Sequence, residues 1–162
     1  MNTMLLRNGP GGARATLQPG HPDYVLPHQS LAPPTSAPVT YSAFCQDHWP
    51  VYWRFGCAVA CSPNRGGELA RAALQEVAAR WPTVLGSASA AAAAWDLLSQ
   101  ECAAQRTGPA ARLYRVLPRL EADALVLRHK MGLTPHQASC AMGLAAADFE
   151  LLHGRAVLSL RQ

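Results

Sequence analysis

The sequence predicts an all-α protein: two small helical units behind a disordered N-terminal tail, the C-terminal unit arranged as a helix-turn-helix. Three observations carry this. Apolar residues recur at intervals of three and four wherever the pattern is regular, which is the spacing of one helix face. Glycine, proline and small polar residues fall at the breaks between those stretches. Alanine supplies much of the 49% hydrophobic content, which suits closely packed helices.

Residues 1–40 hold seven of the thirteen prolines and four of the twelve glycines, with no sustained periodicity. They read as a flexible tail. From residue 41 to about 61 the positions 44, 48, 51, 55 and 59 describe a helix kinked at Pro50. Ser62-Pro63-Asn64 ends it, and Gly66-Gly67 prolongs the turn. A second helix is expected over about 68–80, burying Ala70, Ala73, Leu74 and Val77 and stopping at Trp81-Pro82. A third, over about 89–105, keeps Trp95, Leu98 and Cys102 along one side. Gly108-Pro109 closes this unit, residues 41–106, and separates it from a second at residues 112–162.

The second unit reads LPRLEADALVLRHKMGLTPHQASCAMGLAAADFELLHGRAVLSLR over 117–161. Leu117, Leu120, Ala124, Leu127 and Met131 form one helix face, and Gly132 stops that helix. Thr134-Pro135-His136-Gln137 spells a capping box with proline at the first helical position. The short helix that follows breaks at Met142-Gly143-Leu144. A longer one begins near Ala145 and keeps Phe149, Leu152, Ala156 and Leu160 on one side. A short helix, a glycine turn and a longer helix outline a helix-turn-helix.

These residues resemble region 4 of the sigma-70 family, especially its small extracytoplasmic-function group. Leu117-Pro118, Leu125-Val126-Leu127-Arg128, Gly132-Leu133-Thr134 and Gly143-Leu144 match the order and spacing of that group. The resemblance implies that the last helix is a recognition helix reading the promoter −35 element. The family's arginine-rich segment is replaced there by Asp148, Phe149, Glu150, Leu151 and Leu152, with Val157 at another arginine site. A DNA-reading helix needs cations for phosphates and bidentate donors for bases. The positions left for such contact are Arg128, Lys130, His136, Arg155 and Arg161.

The resemblance extends to region 2. The segment FCQDHWPVYWRFGCAVA is similar to its opening aromatic-rich helix, and Leu74–Trp81, LQEVAARW, to the region 2.2 helix that docks on RNA polymerase. It implies that Gln75 and Glu76 face polymerase core. The next helix, the promoter-melting one in the family, here carries Trp95 as its only aromatic and no cation before Arg106. Trp95 therefore reads as core rather than a base-stacking platform. The link near residues 107–111 is also shorter than the family's inter-domain linker.

The formal charge of +4 is unevenly spread. Residues 107–162 carry seven Lys or Arg against four Asp or Glu, whereas residues 41–106 balance five against five. The surplus fits an acidic partner, nucleic acid or protein, and equally an ordinary solvated face. Five cysteines without an export signal read as reduced thiols. Cys45-x2-His48 with Cys57-x3-Cys61 has zinc-like spacing, but His48 shares a face with Phe44, Val51, Phe55 and Val59, which favours a core histidine. No metal site and no cofactor are expected. There is no phosphate loop, dinucleotide fingerprint or nucleophile elbow. His21, His28, His129, His136 and His153 lack a carboxylate or serine at useful spacing, so no catalytic residues and no enzyme are expected. No apolar run approaches the roughly 18 residues of a membrane span, and the expected location is cytoplasmic with no membrane partner.

Two functions follow as expectations. One is a sigma-like transcription regulator acting at RNA polymerase, with weak contact to promoter DNA. The other is a degenerate sigma fold that binds another regulatory protein through Asp148, Glu150, Leu151 and Leu152, because an acidic and apolar helix face suits a protein groove.

Overall fold

Local signals set most helix boundaries in the computed structural model, which describes residues 39–162. The reading of residues 1–40 as a tail falls almost wholly outside the described residues. Helix α1 (Val39–Ala60) runs through Pro50, which leaves one helical acceptor without its donor. Helix α2 (Pro63–Ala79) starts at Ser62, whose hydroxyl accepts from Arg65 N at 3.3 Å, with Pro63 in the first turn. It therefore begins earlier than the 68–80 expected, and Gly66-Gly67 lies inside it. The reason is packing rather than turning. A Cβ on Gly66 would lie 2.4 Å from Cys57 N, and one on Gly56 would lie 2.7 Å from Gly66 O. The two backbones approach at Gly56 and Gly66, where a side chain on either glycine would collide with the other helix.

Two further helices, α3 (Trp81–Leu85) and α5 (Gly108–Val116), occupy stretches expected to be breaks. Each has proline in its first turn, where a missing N–H costs little. Helix α4 (Ala90–Ala103) lies between them, capped by Ser89 accepting from Ala92 N at 3.1 Å. Helix α6 (Arg119–Leu125) continues into a π-turn, Val126–Lys130, closed by Met131 N donating to Val126 O at 3.0 Å. Gly132 then takes a left-handed φ of 70° and ends the run. Helices α7 (Pro135–Met142) and α8 (Ala146–Ser159) complete the chain. The described residues are all helical, with no strand among them.

The main core runs from Tyr41 in α1 to Phe149 in α8, and Tyr52, Phe55, Leu74, Trp95, Leu98 and Leu127 are enclosed within it. Leu117, Ala122, Leu125 and Ala156 form a smaller cluster between α6 and α8. Tyr41 pins α1 to α2 by donating to Leu74 O at 2.8 Å, with its ring edge-on to Trp81. The stretches 41–106 and 112–162 share the main core and lie in one compact unit. Thr107 N donates to Val59 O at 2.9 Å, Arg54 to Met131 O at 2.7 Å, and Ser89 Oγ to Gly143 O at 3.1 Å. Among the described residues, no helix is long and apolar enough to cross a membrane.

Candidate interaction face

Helix α8 owes its placement to the turn before it. The capping box forms in full: Thr134 Oγ1 accepts from Gln137 N at 3.1 Å, and Thr134 N donates to Gln137 Oε1 at 2.9 Å. At the other end of α7, Gly143 adopts φ 64°, and Gly143 N and Leu144 N close back onto Cys140 O and Ser139 O. A Cβ there would sit 2.1 Å from Ala92 N, so only glycine lets this turn seat on the start of α4. Beyond it, Phe149 and Ala156 turn inward and are fully buried.

The opposite side of α8 faces solvent. Leu151 is 67% exposed and Leu158 60%. Both lie about 180° from the Phe149–Ala156 direction at 100° per residue. Ala147 is exposed on the same stripe, and an added Cβ on Gly154 would meet nothing within 4 Å. Asp148 and Glu150 are exposed beside it. Leu152, named with them from the sequence, is half-buried instead, because it lies about 100° from Leu151 toward the core. Leu158 takes its place. It was missed, although it stands seven residues after Leu151 and so on the same face.

The cations assigned to DNA divide into two groups. Arg128 donates to Leu133 O, and Lys130 donates to Ala58 O near the end of α1 and approaches Cys61 Sγ at 3.6 Å. Arg155 Nε lies 3.3 Å from Glu121. These three are tied to their own chain. Arg161 is exposed, and exposed His136 lies 3.8 Å from Cys140 Sγ. On α2, Gln75 is exposed and Glu76 pairs with Arg80 at 3.1 Å.

A buried carboxylate that the sequence reading did not single out holds the scaffold beneath this face. Asp123, wholly buried in α6, accepts from Trp95 Nε1 and Ser99 Oγ of α4, each at 3.1 Å, and from the Tyr114 hydroxyl of α5. Arg106 lies over the Tyr114 ring, 3.6 Å from its centroid, and donates to Ser99 O at 3.2 Å. Burial pushes the Asp123 carboxyl up, and the three donors and Arg106 pull only partly against it. Burial and the Asp123 charge raise Tyr114 as well, and push the neighbouring Cys102 thiol up to about 12. Arg119 ties α6 to Asp96 of α4. A closed network of this kind fixes geometry, and its acid accepts hydrogen bonds inside the core instead of meeting a cleft.

His129 of the π-turn and His153 of α8 bring their Nε2 atoms to 2.9 Å. One ring donates to the other, so the two cannot both carry a proton on Nε2 while this contact is made. Burial, then His129 and Arg128, lower the His153 pKa. His48, placed on the apolar face of α1, stacks on Phe44 and donates Nδ1–H to Phe44 O at 2.9 Å, and burial lowers its pKa too. Among the described residues, no three of His, Cys, Asp and Glu gather as a metal-holding group. A cavity of about 490 Å³ opens beside the C-terminal end of α8, lined mainly by apolar residues including Leu113, Leu125, Val157 and Leu160, with Arg161 among them. Leu160, expected in the core, lines this cavity and is half-exposed. No family model, characterised protein or solved structure shows significant similarity to the chain.

Proposed function

We propose that this chain is a protein-interaction module, and that the outer face of α8 is where a protein partner docks. The observation that carries the reading is the pair of exposed leucines, Leu151 and Leu158, on a helix held rigid by a buried core behind it. Single exposed leucines are ordinary, whereas two at helical register on one protruding face are how amphipathic helices engage protein grooves. Asp148 and Glu150 border the stripe and disfavour a phosphate backbone. The test is capture of partner proteins from nuclease-treated lysate by the immobilised chain. Leu151→Arg and Leu158→Arg should each abolish capture while leaving the helical circular dichroism intact. Unchanged capture by both variants would sink the reading.

A second reading, a sigma-like regulator at RNA polymerase and promoter DNA, is favoured by one specific observation. The capped α7, the left-handed Gly143 turn and the longer α8 follow the helix-turn-helix outline. Gln75 and Glu76 would then meet polymerase core, and Arg161 and His136, with Arg128, Lys130 and Arg155 released from their present partners, would meet DNA. Co-purification with core polymerase, lost in a Gln75→Ala/Glu76→Ala variant, would support it. Absence of any such capture would remove it.

A further inference from the structure

We propose that the cavity beside the end of α8 binds a small apolar carboxylate, its hydrocarbon body against the apolar wall and its head answered by Lys130 and Arg161. The cavity measures about 490 Å³, within the range of pockets that take small molecules. Its apolar wall is assembled from Leu113 of α5, Leu125 of α6, Val126 of the π-turn, and Val157 and Leu160 at the end of α8. It is separate from the outer face of α8. At 100° per residue, Val157 and Leu160 lie about 100° and about 160° around the helix from Leu158. A ligand here leaves the Leu151–Leu158 stripe open, so the inference does not depend on the docking reading.

The polar side chains of the wall are all basic: His129, Lys130 and Arg161. Among the described residues, no Asp or Glu lines the cavity. Lys130 and Arg161 have no carboxylate partner among the ion pairs of the described residues. Lys130 donates to Ala58 O and approaches Cys61 Sγ at 3.6 Å, which leaves one of its three ammonium hydrogens for a ligand. Arg161 is exposed and offers a planar fork that fits a carboxylate with two parallel hydrogen bonds. An apolar wall alone would admit any oily molecule, and cations alone would hold only ions from solvent. Side by side they select a body with one anionic end. One ammonium hydrogen and one guanidinium fork suit the two oxygens of a carboxylate better than the three of a phosphate.

Equilibrium dialysis of the full chain against octanoate tests this. A ligand of about ten non-hydrogen atoms should dissociate on the order of 100 µM. Octanol, the same body without charge, should bind at least about tenfold more weakly. Arg161→Gln should weaken octanoate about tenfold and leave octanol unchanged. Leu160→Glu sets a carboxylate in the wall at a half-exposed position and should abolish octanoate binding. Both positions are accessible to solvent, and far-ultraviolet circular dichroism checks that both variants fold. Octyl phosphate should bind no tighter than octanoate, and tighter binding would overturn the carboxylate assignment. Absence of octanoate binding below about 1 mM, equal binding of octanol, or unchanged binding in both variants overturns the site. Leu151→Arg should bind octanoate as wild type does; loss there would place the ligand on the outer face of α8 and overturn the site as well. Partner capture by that outer face is read separately, so failure of one proposal leaves the other standing.

Discussion

Removing the Asp123 carboxylate tests whether the helices on either side of residues 107–111 stand or fall together. Asp123→Ala leaves Trp95 Nε1, Ser99 Oγ and the Tyr114 hydroxyl without their acceptor inside the core. Each stranded buried donor costs about 1–3 kcal/mol. Tyr114 is only half-buried and Ser99 can rotate, so both recover part of that cost. Relief of a desolvated carboxylate offsets some of the remainder. The net loss should be about 3 kcal/mol, a large share of the 5–15 kcal/mol typical of a domain. Asp123→Asn keeps one acceptor oxygen for α4 and should cost about 1 kcal/mol. Urea unfolding followed by tryptophan fluorescence and far-ultraviolet circular dichroism reads both numbers, with coincident curves expected. A loss under about 1 kcal/mol for Asp123→Ala would refute the network as the pin. So would two separate transitions in the wild-type chain, since α4, α5 and α6 all converge on this one side chain.

Gly143→Ala should destabilise by about 3 kcal/mol or more, combining left-handed strain with collision on Ala92. Gly132→Ala, equally left-handed but with open space around it, should cost only about 1 kcal/mol, and thermal melts separate the two. Native thiol titration should find Cys61 and Cys140 reacting quickly and Cys45 and Cys102 protected until unfolding; rapid labelling of Cys102 would contradict its burial. His153 has its folded pKa lowered, so the unfolded chain binds the proton first as pH falls through about 6.5, and stability should drop there. A His153→Gln variant should show a flatter stability profile between pH 7 and the lowered pKa, and an unchanged slope would refute this. Asp123 contributes with the opposite sign: its raised pKa means stability gained as pH falls from that value toward about 4. Any duplex-DNA binding should show a shallow salt dependence, on the order of one or two released ions, and a slope of about five or more would show that Arg128, Lys130 and Arg155 leave their present partners.

How far the fold could be read from the sequence depended on whether a residue's job was local. The capping box, the stop at Gly132 and the turn at Gly143 act within a few residues, and the chain states them directly. Gly66-Gly67 reads as a turn because glycine pairs usually mark turns, whereas Gly66 serves an approach between two helices that only the tertiary structure reveals. Pro82 and Pro109 read as breaks in the sequence, although each also begins a helix. Asp123 was overlooked amid an apolar run. It stands three residues after Leu120 and four before Leu127, so its place on the buried face was available from spacing alone. What spacing could not supply were its three donors, which come from two other helices. The α8 face was half legible: its acids and Leu151 were named, but Leu152 was chosen over Leu158 because adjacency was weighed above helical register.

The same distinction explains why a basic surplus in the last third need not mean a nucleic-acid surface. Counting charges treats every cation as available to solvent, yet a cation's use depends on what its side chain already holds. Arg128 satisfies the carbonyl that follows the π-turn, Lys130 satisfies one near the end of α1, and Arg155 answers Glu121. Each already holds an acceptor of its own chain, so moving it to a phosphate gives that contact up. Binding at a phosphate must therefore exceed the contact given up. Leu151 and Leu158 face no such competition. They gain by leaving water and surrender nothing within the chain, which is why the proposed docking face rests on the apolar stripe rather than on the charge count.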